Sequence, residues 1–167
     1  MRVSPVGFAF DEALVVMHEA EESAKVTHNH PEGIKGAQAT ALAILLARKN
    51  AEKDVIREVI RVKFGYNLNR TVEEIRPNYQ FNESCQETVP EAIIAFLDSE
   101  DYEHAIRLAV SLGGDSDTLA CITGGIAEAF YTEIPTEIIT NADELLPPEF
   151  AIIIAQFQQK YMKADNG

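Results

Sequence analysis

Residues 101–131, DYEHAIRLAVSLGGDSDTLACITGGIAEAFY, contain two predicted helices joined by a polar corner. Asp101 is placed to cap the first helix, whose apolar residues recur at the spacing of one helical face. Gly113 and Gly114 are expected to end that helix, because glycine readily adopts the left-handed conformation common after a helix C-terminus. A second helix is expected to begin near Asp117. The stretch therefore predicts a glycine-hinged corner between two apolar helices.

The corner carries two carboxylates and a hydroxyl within four residues: Asp115, Asp117 and Thr118. One interpretation is structural, with Asp115 as a helix cap and Asp117 as a first-turn acid that complements the helix dipole. The other is a metal site, because carboxylates two residues apart can converge across a turn, and Mg²⁺ and Ca²⁺ prefer hard oxygen ligands. An EF-hand is excluded, because the chain turns apolar after Thr118. The spacing alone leaves both interpretations open.

Helical signals continue on both sides of this corner, and strand signals are nearly absent. The predicted boundaries rest on capping residues, on prolines in first helical turns and on glycine at a helix end. They are a cap at Asp11, a start at Pro31, a helix over about 51–64 ended by Gly65, capping boxes at Thr71 with Glu74 and at Thr88 with Glu91, and two further helices punctuated by Pro135 and Pro148. Eight or nine helices with short loops predict an all-α array, one domain over residues 1–167, with a frayed end at residues 163–167.

The formal net charge of −13 argues against two classes of partner. No basic patch can dominate the electric field of so acidic a chain, so neither a nucleic acid nor an anionic membrane is an expected partner. No run of 18 or more apolar residues is present to span a membrane, and no signal-peptide pattern opens the chain. Cys85 and Cys121 lack the neighbours that a zinc site needs, so both are expected to be reduced thiols in the cytoplasm.

Two histidines, His28 and His30, precede a predicted helix. Each can cap that helix or satisfy backbone groups, and a His-x-His metal site would need a third ligand that the sequence does not reveal. The helix itself is rich in small residues from Gly33 onward, which lets a neighbouring helix or a ligand approach its backbone. Residues 65–87 are the least regular. Loops of this length are often functional, but a surface loop packed by its own aromatic side chains is equally expected.

Four ordered segments resemble the ADP-ribosylglycohydrolase family, the group related to the hydrolase that reactivates dinitrogenase reductase. Residues 113–118, with the small-residue helix that follows, resemble its C-terminal metal motif. Residues 1–5 resemble the end of its Gly-Asn-Gly-Ser-x-Met-Arg loop, and residues 27–33 resemble its Thr-His segment. Residues 84–92 resemble the stretch that leads to its next core helix. Agreement in four ordered places makes chance a poor explanation.

The resemblance implies an all-α fold with a centre of two Mg²⁺ ions. Such a centre cleaves the glycosidic bond between ADP-ribose and a protein side chain or small acceptor. Carried over by position, Asp115 and Asp117 are the implied catalytic residues and, with Thr118, the implied metal ligands. The implied ADP-ribose-binding residues are Met1, Arg2, His28, Gly113, Gly114 and Ser116.

The resemblance covers a C-terminal portion of the family. The family's upstream half, with the Thr-Asp-Asp-Thr-type cluster that supplies the remaining metal ligands, has no counterpart in the sequence, so a partial magnesium site is expected. One implied function is an ADP-ribosyl hydrolase completed by a separately encoded N-terminal half or by self-association. The other is a catalytically inactive module or relic that binds ADP-ribose or metal. Loss of the upstream helices is also expected to expose apolar surface and to favour homo-oligomers.

Overall fold

The computed structural model describes residues 1–162 and shows ten helices and no strand in that range. They are α1 (Ser4–Ala9), α2 (Ala13–Lys25), α3 (Pro31–Arg48), α4 (Lys53–Phe64), α5 (Val72–Ile75), α6 (Cys85–Asp98), α7 (Tyr102–Ser111), α8 (Ser116–Tyr131), α9 (Thr136–Leu145) and α10 (Pro148–Tyr161). The all-α prediction is confirmed, although the count exceeds the expected eight or nine. The end predicted to fray, residues 163–167, lies outside the described residues.

Several helix ends follow from the predicted capping residues. Pro31 occupies the first turn of α3, and Gly65 ends α4 with a φ of +71°. At α5, the Thr71 hydroxyl accepts a hydrogen bond from the Glu74 amide at 3.3 Å, and the Glu74 carboxylate accepts one from the Thr71 amide at 2.9 Å. Asp101 caps α7 by accepting a hydrogen bond from a first-turn amide at 2.7 Å. Local sequence therefore determines these boundaries.

The predicted cap at Asp11 is wrong. Glu12 occupies the N-cap position of α2, without a capping hydrogen bond from its side chain. The Asp11 carboxylate instead accepts a hydrogen bond from the Arg48 guanidinium, 2.7 Å away at the end of α3. A charge-assisted bond to a distant residue has therefore replaced the local capping bond.

The predicted capping box at Thr88 and Glu91 is also wrong. Helix α6 begins earlier, at Cys85, and its cap is the Ser84 hydroxyl, which accepts a hydrogen bond from a first-turn amide at 3.2 Å. Thr88 is buried inside the helix. Both carboxylate oxygens of Glu91 accept hydrogen bonds at 2.9 Å from the Arg70 guanidinium. Glu91 is therefore a buried partner in an ion pair, not a residue of a helix start.

Helix α3 is the centre of the fold and contacts α1, α2, α4, α6 and α8. Glycines in the neighbouring helices allow close approach. A Cβ atom added to Gly7 of α1 would lie 2.6 Å from the Ile44 side chain, and one added to Gly125 of α8 would lie 2.7 Å from the Ser4 hydroxyl. A glycine inside a helix lowers helix stability by about 1 kcal/mol relative to alanine. Close packing explains why glycine is present at these positions, because a larger residue would not fit. This packing brings the N-terminus and the start of α8 together against α3.

Helices α9 and α10 differ from the others, because neither contains a buried residue. Nevertheless, α10 carries Phe150, Ile152, Ile153 and Ile154, with exposed fractions of 42% to 59%. Successive residues are about 100° apart around a helix, so these side chains point in several directions. Large apolar side chains of a helix are normally buried, so the expected exposed apolar surface is present on α10. No helix within residues 1–162 is both long and apolar enough to cross a membrane.

Candidate functional site

A cavity of about 600 Å³, here called the main cavity, lies where the α7–α8 corner meets the N-terminus and the start of α3. Asp115 and Thr118 line it from the corner, Met1 and Arg2 from the N-terminus, and His28 from the α2–α3 connection. Five of the nine residues implied by the family resemblance therefore surround one cavity. The other four belong to the corner but not to the cavity wall: Gly113, Gly114, Ser116 and Asp117.

Two glycines shape the corner between α7 and α8. Gly113 and Gly114 have φ values of +74° and +62°, a region that costs residues with a side chain roughly 1–2 kcal/mol. A Cβ atom on Gly114 would also lie 2.9 Å from the Tyr79 ring and 3.2 Å from Cα of Phe81, whereas Gly113 has open space around it. The turn therefore requires glycine at 113 for its conformation, and at 114 for conformation and space.

The first turn of α8 places two carboxylates side by side. Asp115 occupies the N-cap position, but its side chain makes no capping hydrogen bond, which contradicts the interpretation of Asp115 as a cap. Asp117 is exposed, and its carboxylate accepts a hydrogen bond from the Thr118 amide at 2.9 Å. Hydrogen bonding to the Asp115 side chain, followed by that to the Thr118 amide, lowers the pKa of Asp117. The two carboxyl groups therefore interact at the start of α8, and their oxygen atoms are of the kind that Mg²⁺ accepts.

The oxygen donors of the corner suit Mg²⁺ in kind but not in number. Mg²⁺ prefers six oxygen ligands in octahedral geometry, and Asp115, Asp117 and Thr118 offer at most part of that set. In the part of the chain that the structure describes, no group of three or more His, Cys, Asp or Glu side chains is arranged to hold a metal ion. The corner therefore offers oxygen ligands of the kind that Mg²⁺ accepts, but too few within residues 1–162 to fill its coordination.

Three side chains of the cavity wall form a hydrogen-bonded group. The Arg2 guanidinium donates to the Thr27 hydroxyl, which lies 2.7 Å from Nδ1 of His28. Arg2 has no ion-pair partner within residues 1–162, so its other N–H groups can serve a phosphate, which a guanidinium binds well. His30 has a different role, because its Nδ1 accepts a hydrogen bond from the Glu32 amide at 3.3 Å at the start of α3. The capping interpretation of His30 is confirmed.

The small residues of α3, which were expected to let a helix or a ligand approach, form part of the cavity wall, and other wall residues were not identified from the sequence. One face of α3 contributes Gly33, Gly36, Ala37 and Thr40. Residues three and four positions apart share a helix face, so this spacing is a usable signal. The remaining wall residues are Val3, Ser23, Ala24, Thr27, Phe81, Glu83, Cys85, Thr88, Val89 and Ile122. They have no shared sequence signal, because packing brings them together from five separate segments.

The chain is similar to one family model and to several known proteins. A sequence model of the ADP-ribosylglycohydrolase family matches residues 1–163. An uncharacterized protein of Archaeoglobus fulgidus is 32% identical over 151 residues, which cover 81% of this chain and 49% of that protein. The ADP-ribosylhydrolase ARH3 of Danio rerio is 26% identical, over 87% of this chain and 54% of its own length. The ADP-ribosylarginine hydrolase Tri1 of Pseudomonas putida is 26% identical, over 68% of this chain and 32% of its own length.

The fold agrees with this similarity. A solved structure, the ADP-ribosylglycohydrolase-related protein complex, aligns with a TM-score of 0.64 at 25% identity and covers 78% of this chain and 48% of that one. The chain spans about half the length of most of these relatives, and about a third of Tri1. Because the family model matches nearly every residue and a solved relative has the same fold, the chain belongs to the ADP-ribosylglycohydrolase family.

Proposed function

We propose that the chain forms the ADP-ribose-binding wall and part of the metal centre of a magnesium-dependent ADP-ribosyl hydrolase. One observation carries this proposal: a single cavity of about 600 Å³ is lined by Asp115 and Thr118 of the corner and also by Arg2 and His28. That volume is in the range of small-molecule sites. ADP-ribose needs a cationic group for its pyrophosphate, and cleavage at its ribose needs stabilisation of developing charge. The main cavity has a candidate for each task.

The proposed reaction cleaves the bond between the ribose C1 and the acceptor atom through an oxocarbenium-like transition state. The oxygen atoms of the corner would hold Mg²⁺. When bound there, the ion would orient the ribose hydroxyls, activate a water molecule and offset developing charge. Arg2, positioned by its hydrogen bond to Thr27, would donate to a phosphate oxygen. His28 contacts Thr27 through Nδ1, which leaves Nε2 for the ligand. The small side chains on α3 would let the ligand lie close to the helix.

The remaining metal ligands would come from outside residues 1–162. The Archaeoglobus fulgidus protein and ARH3 of Danio rerio, of which this chain covers 49% and 54%, are about twice as long as this chain. In addition, apolar side chains of helix α10 are exposed. The proposal therefore includes a further polypeptide segment, outside residues 1–162, that covers α10 and completes the centre. Two free cysteines, the half-buried Cys85 and the exposed Cys121, support a reducing compartment such as the cytoplasm.

The test is Mg²⁺-dependent release of ADP-ribose from an ADP-ribosylated arginine or serine peptide. The chain is assayed alone and with the unmatched half of the Archaeoglobus fulgidus relative supplied separately. Release should occur in the mixture and fall about a hundredfold or more in Asp115→Ala. Asp143→Ala on α9 is the matched control, because Asp143 is an exposed aspartate remote from the corner in sequence. No release from the mixture would end the hydrolase proposal.

The incomplete donor set favours a second candidate function, a module that binds ADP-ribose or metal without catalysis. No group of three or more candidate metal-binding side chains exists within residues 1–162, so this part of the chain offers too few ligands for two ions. Calorimetric titration with ADP-ribose and with Mg²⁺ separates the candidates. Binding without release in any mixture supports the module. Neither binding nor release would leave the chain with a structural role only.

A further inference from the structure

A second cavity, of about 570 Å³, lies between the start of α3, the α4–α5 connection and α6. It shares no wall residue with the main cavity. Tyr79 belongs to its wall, and the Tyr79 ring also packs against the corner, where a Cβ atom on Gly114 would lie 2.9 Å from it. The second cavity therefore adjoins the proposed site without being part of it.

Unpaired polar atoms are concentrated in the wall of the second cavity. Within residues 1–162, five buried side-chain N or O atoms have no hydrogen-bond partner, and three belong to this wall: the hydroxyls of Tyr66 and Tyr79 and Oε2 of Glu32. Tyr66 is only 5% exposed. Thr88 lies close to the Tyr79 hydroxyl, and because its own hydroxyl donates to the Asn82 carbonyl at 3.1 Å, it can accept from Tyr79 but not donate to it. Buried polar groups are nearly always paired, so this wall lacks partners that a bound molecule would supply.

A partner that donates hydrogen bonds can serve all three of these atoms. A carboxylate oxygen such as Oε2 of Glu32 only accepts, and a phenol oxygen can accept as well. Lys35 lies 3.4 Å from Oε2 of Glu32, close enough for an ion pair but too far for a good hydrogen bond. A metal ion does not fit the role, because no group of three or more acidic, His or Cys side chains in the described chain is arranged to hold one. An organic donor therefore fits these atoms.

The charge of the wall favours a cation. Its ionised side chains are four carboxylates, on Glu32, Glu74, Glu87 and Glu91, and two cations, on Lys35 and Arg70. Arg70 is engaged by the bidentate pair with Glu91 at 2.9 Å, and Lys35 lies 4.6 Å from the centre of the Tyr66 ring. Glu74 and Glu87 accept hydrogen bonds only from uncharged donors within residues 1–162. Two negative charges, those of Glu74 and Glu87, therefore remain without a cationic partner in this wall.

We propose that the second cavity binds an organic cation: a guanidinium or alkylammonium group, from an arginine or lysine side chain or from a free polyamine. A guanidinium carries five N–H donors in a planar fork, enough to reach an unpaired carboxylate oxygen and a phenol oxygen together. The proposal does not depend on hydrolase activity, because every residue that carries it lies outside the main cavity.

The experiment is calorimetric titration of the chain with agmatine and, separately, with an acetylated and amidated Gly-Arg-Gly peptide. Tyr66→Phe removes the unpaired hydroxyl and keeps the ring, and Glu87→Gln removes one uncompensated charge. Each should weaken agmatine binding about tenfold, the effect of losing one hydrogen bond with a charged partner. Glu133→Gln, at an exposed carboxylate outside the cavity, should leave binding unchanged.

The folded state of the variants is checked by thermal unfolding. Tyr66→Phe should unfold at the wild-type temperature or above it, because it removes a buried hydroxyl that has no partner. Stronger binding of the peptide identifies a protein side chain as the ligand, and stronger binding of agmatine identifies a free amine; either upholds the proposal. No binding of either probe to the wild type, or equal binding by the wild type and both variants, overturns it and indicates a cavity filled by water only.

Discussion

The hydroxyl of Thr118 donates a hydrogen bond to the sulfur of Met1 at 3.5 Å, across 117 positions of sequence. This contact brings the N-terminal segment onto the α7–α8 corner and places Arg2 in the same cavity wall. A thioether sulfur is a weak acceptor, so the contact is easily exchanged for a stronger one. The Thr118 hydroxyl therefore has only a weak partner within residues 1–162.

Neutralising either carboxylate of the corner should weaken Mg²⁺ binding. Asp115→Asn and Asp117→Asn keep the side-chain shape but remove the charge that attracts the ion, so each should reduce Mg²⁺ affinity about tenfold or more. The measurement is calorimetric titration with magnesium chloride. Asp143→Asn, at an exposed position on α9, should bind like the wild type. Equal affinities in all four proteins would contradict a metal role for the corner.

Alanine at the two corner glycines should have unequal effects. Gly113→Ala forces a side chain into left-handed backbone, which costs roughly 1–2 kcal/mol of unfolding free energy. Gly114→Ala has the same conformational cost and also places Cβ 2.9 Å from the Tyr79 ring and 3.2 Å from the backbone of Phe81. It should therefore be the less stable variant in urea unfolding. A smaller loss for Gly114→Ala than for Gly113→Ala would show that the turn does not have this geometry.

Glu128 should make the stability of the fold depend on pH. Burial alone raises the pKa of this α8 carboxyl, with no charged partner acting on it. Its folded pKa therefore exceeds the unfolded value of about 4.3, and the folded state binds more protons between the two values. The contribution of the Glu128 carboxyl to the stability of the folded state is therefore fully present below about pH 4.3. It is lost as the pH rises through the folded pKa.

Glu128→Gln removes this titration. The free energy of unfolding of the variant, minus that of the wild type, should therefore increase between about pH 4 and about pH 7. Urea unfolding across this range measures the difference. Glu133→Gln, at an exposed carboxylate, should give a difference that does not change with pH. If the two variants behave alike, the Glu128 carboxyl is not held in an unfavourable environment.

The exposed apolar side chains of α10 should drive association. Ile152 and Ile153 are each 59% exposed, on a helix without a buried residue. The wild type should sediment as a dimer or larger species, and the double substitution Ile152→Gln with Ile153→Gln should shift it toward monomer, since contiguous apolar surface is rare on monomers. Val62→Gln, at an α4 side chain that is 68% exposed, is the control and should not change the state. A monomeric wild type would contradict the prediction.

Helix boundaries were predictable where their cause is local. Pro31, Gly65 and Thr71 act within a few residues of themselves, so the pattern of the chain predicts their effect. Asp11 and Thr88 were interpreted wrongly for the opposite reason. Arg48 lies 37 positions from Asp11 and accounts for its carboxylate, and α6 is capped by Ser84, upstream of Thr88. Capping residues therefore predict a helix start only where no stronger partner or earlier cap is present.

The sequence by itself determined the helical fold class, the glycine-hinged corner with its two carboxylates, and the family, because these depend on periodicity, backbone preference and contiguous motifs. Only the tertiary structure decided that Met1, Arg2 and His28 meet Asp115 and Thr118 around one cavity. It also decided that the unpaired hydroxyls of two tyrosines lie in the wall of another cavity. The physical reason is that small residues let α1 and α8 pack closely on α3, and the neighbours created by such packing have no fixed spacing along the chain.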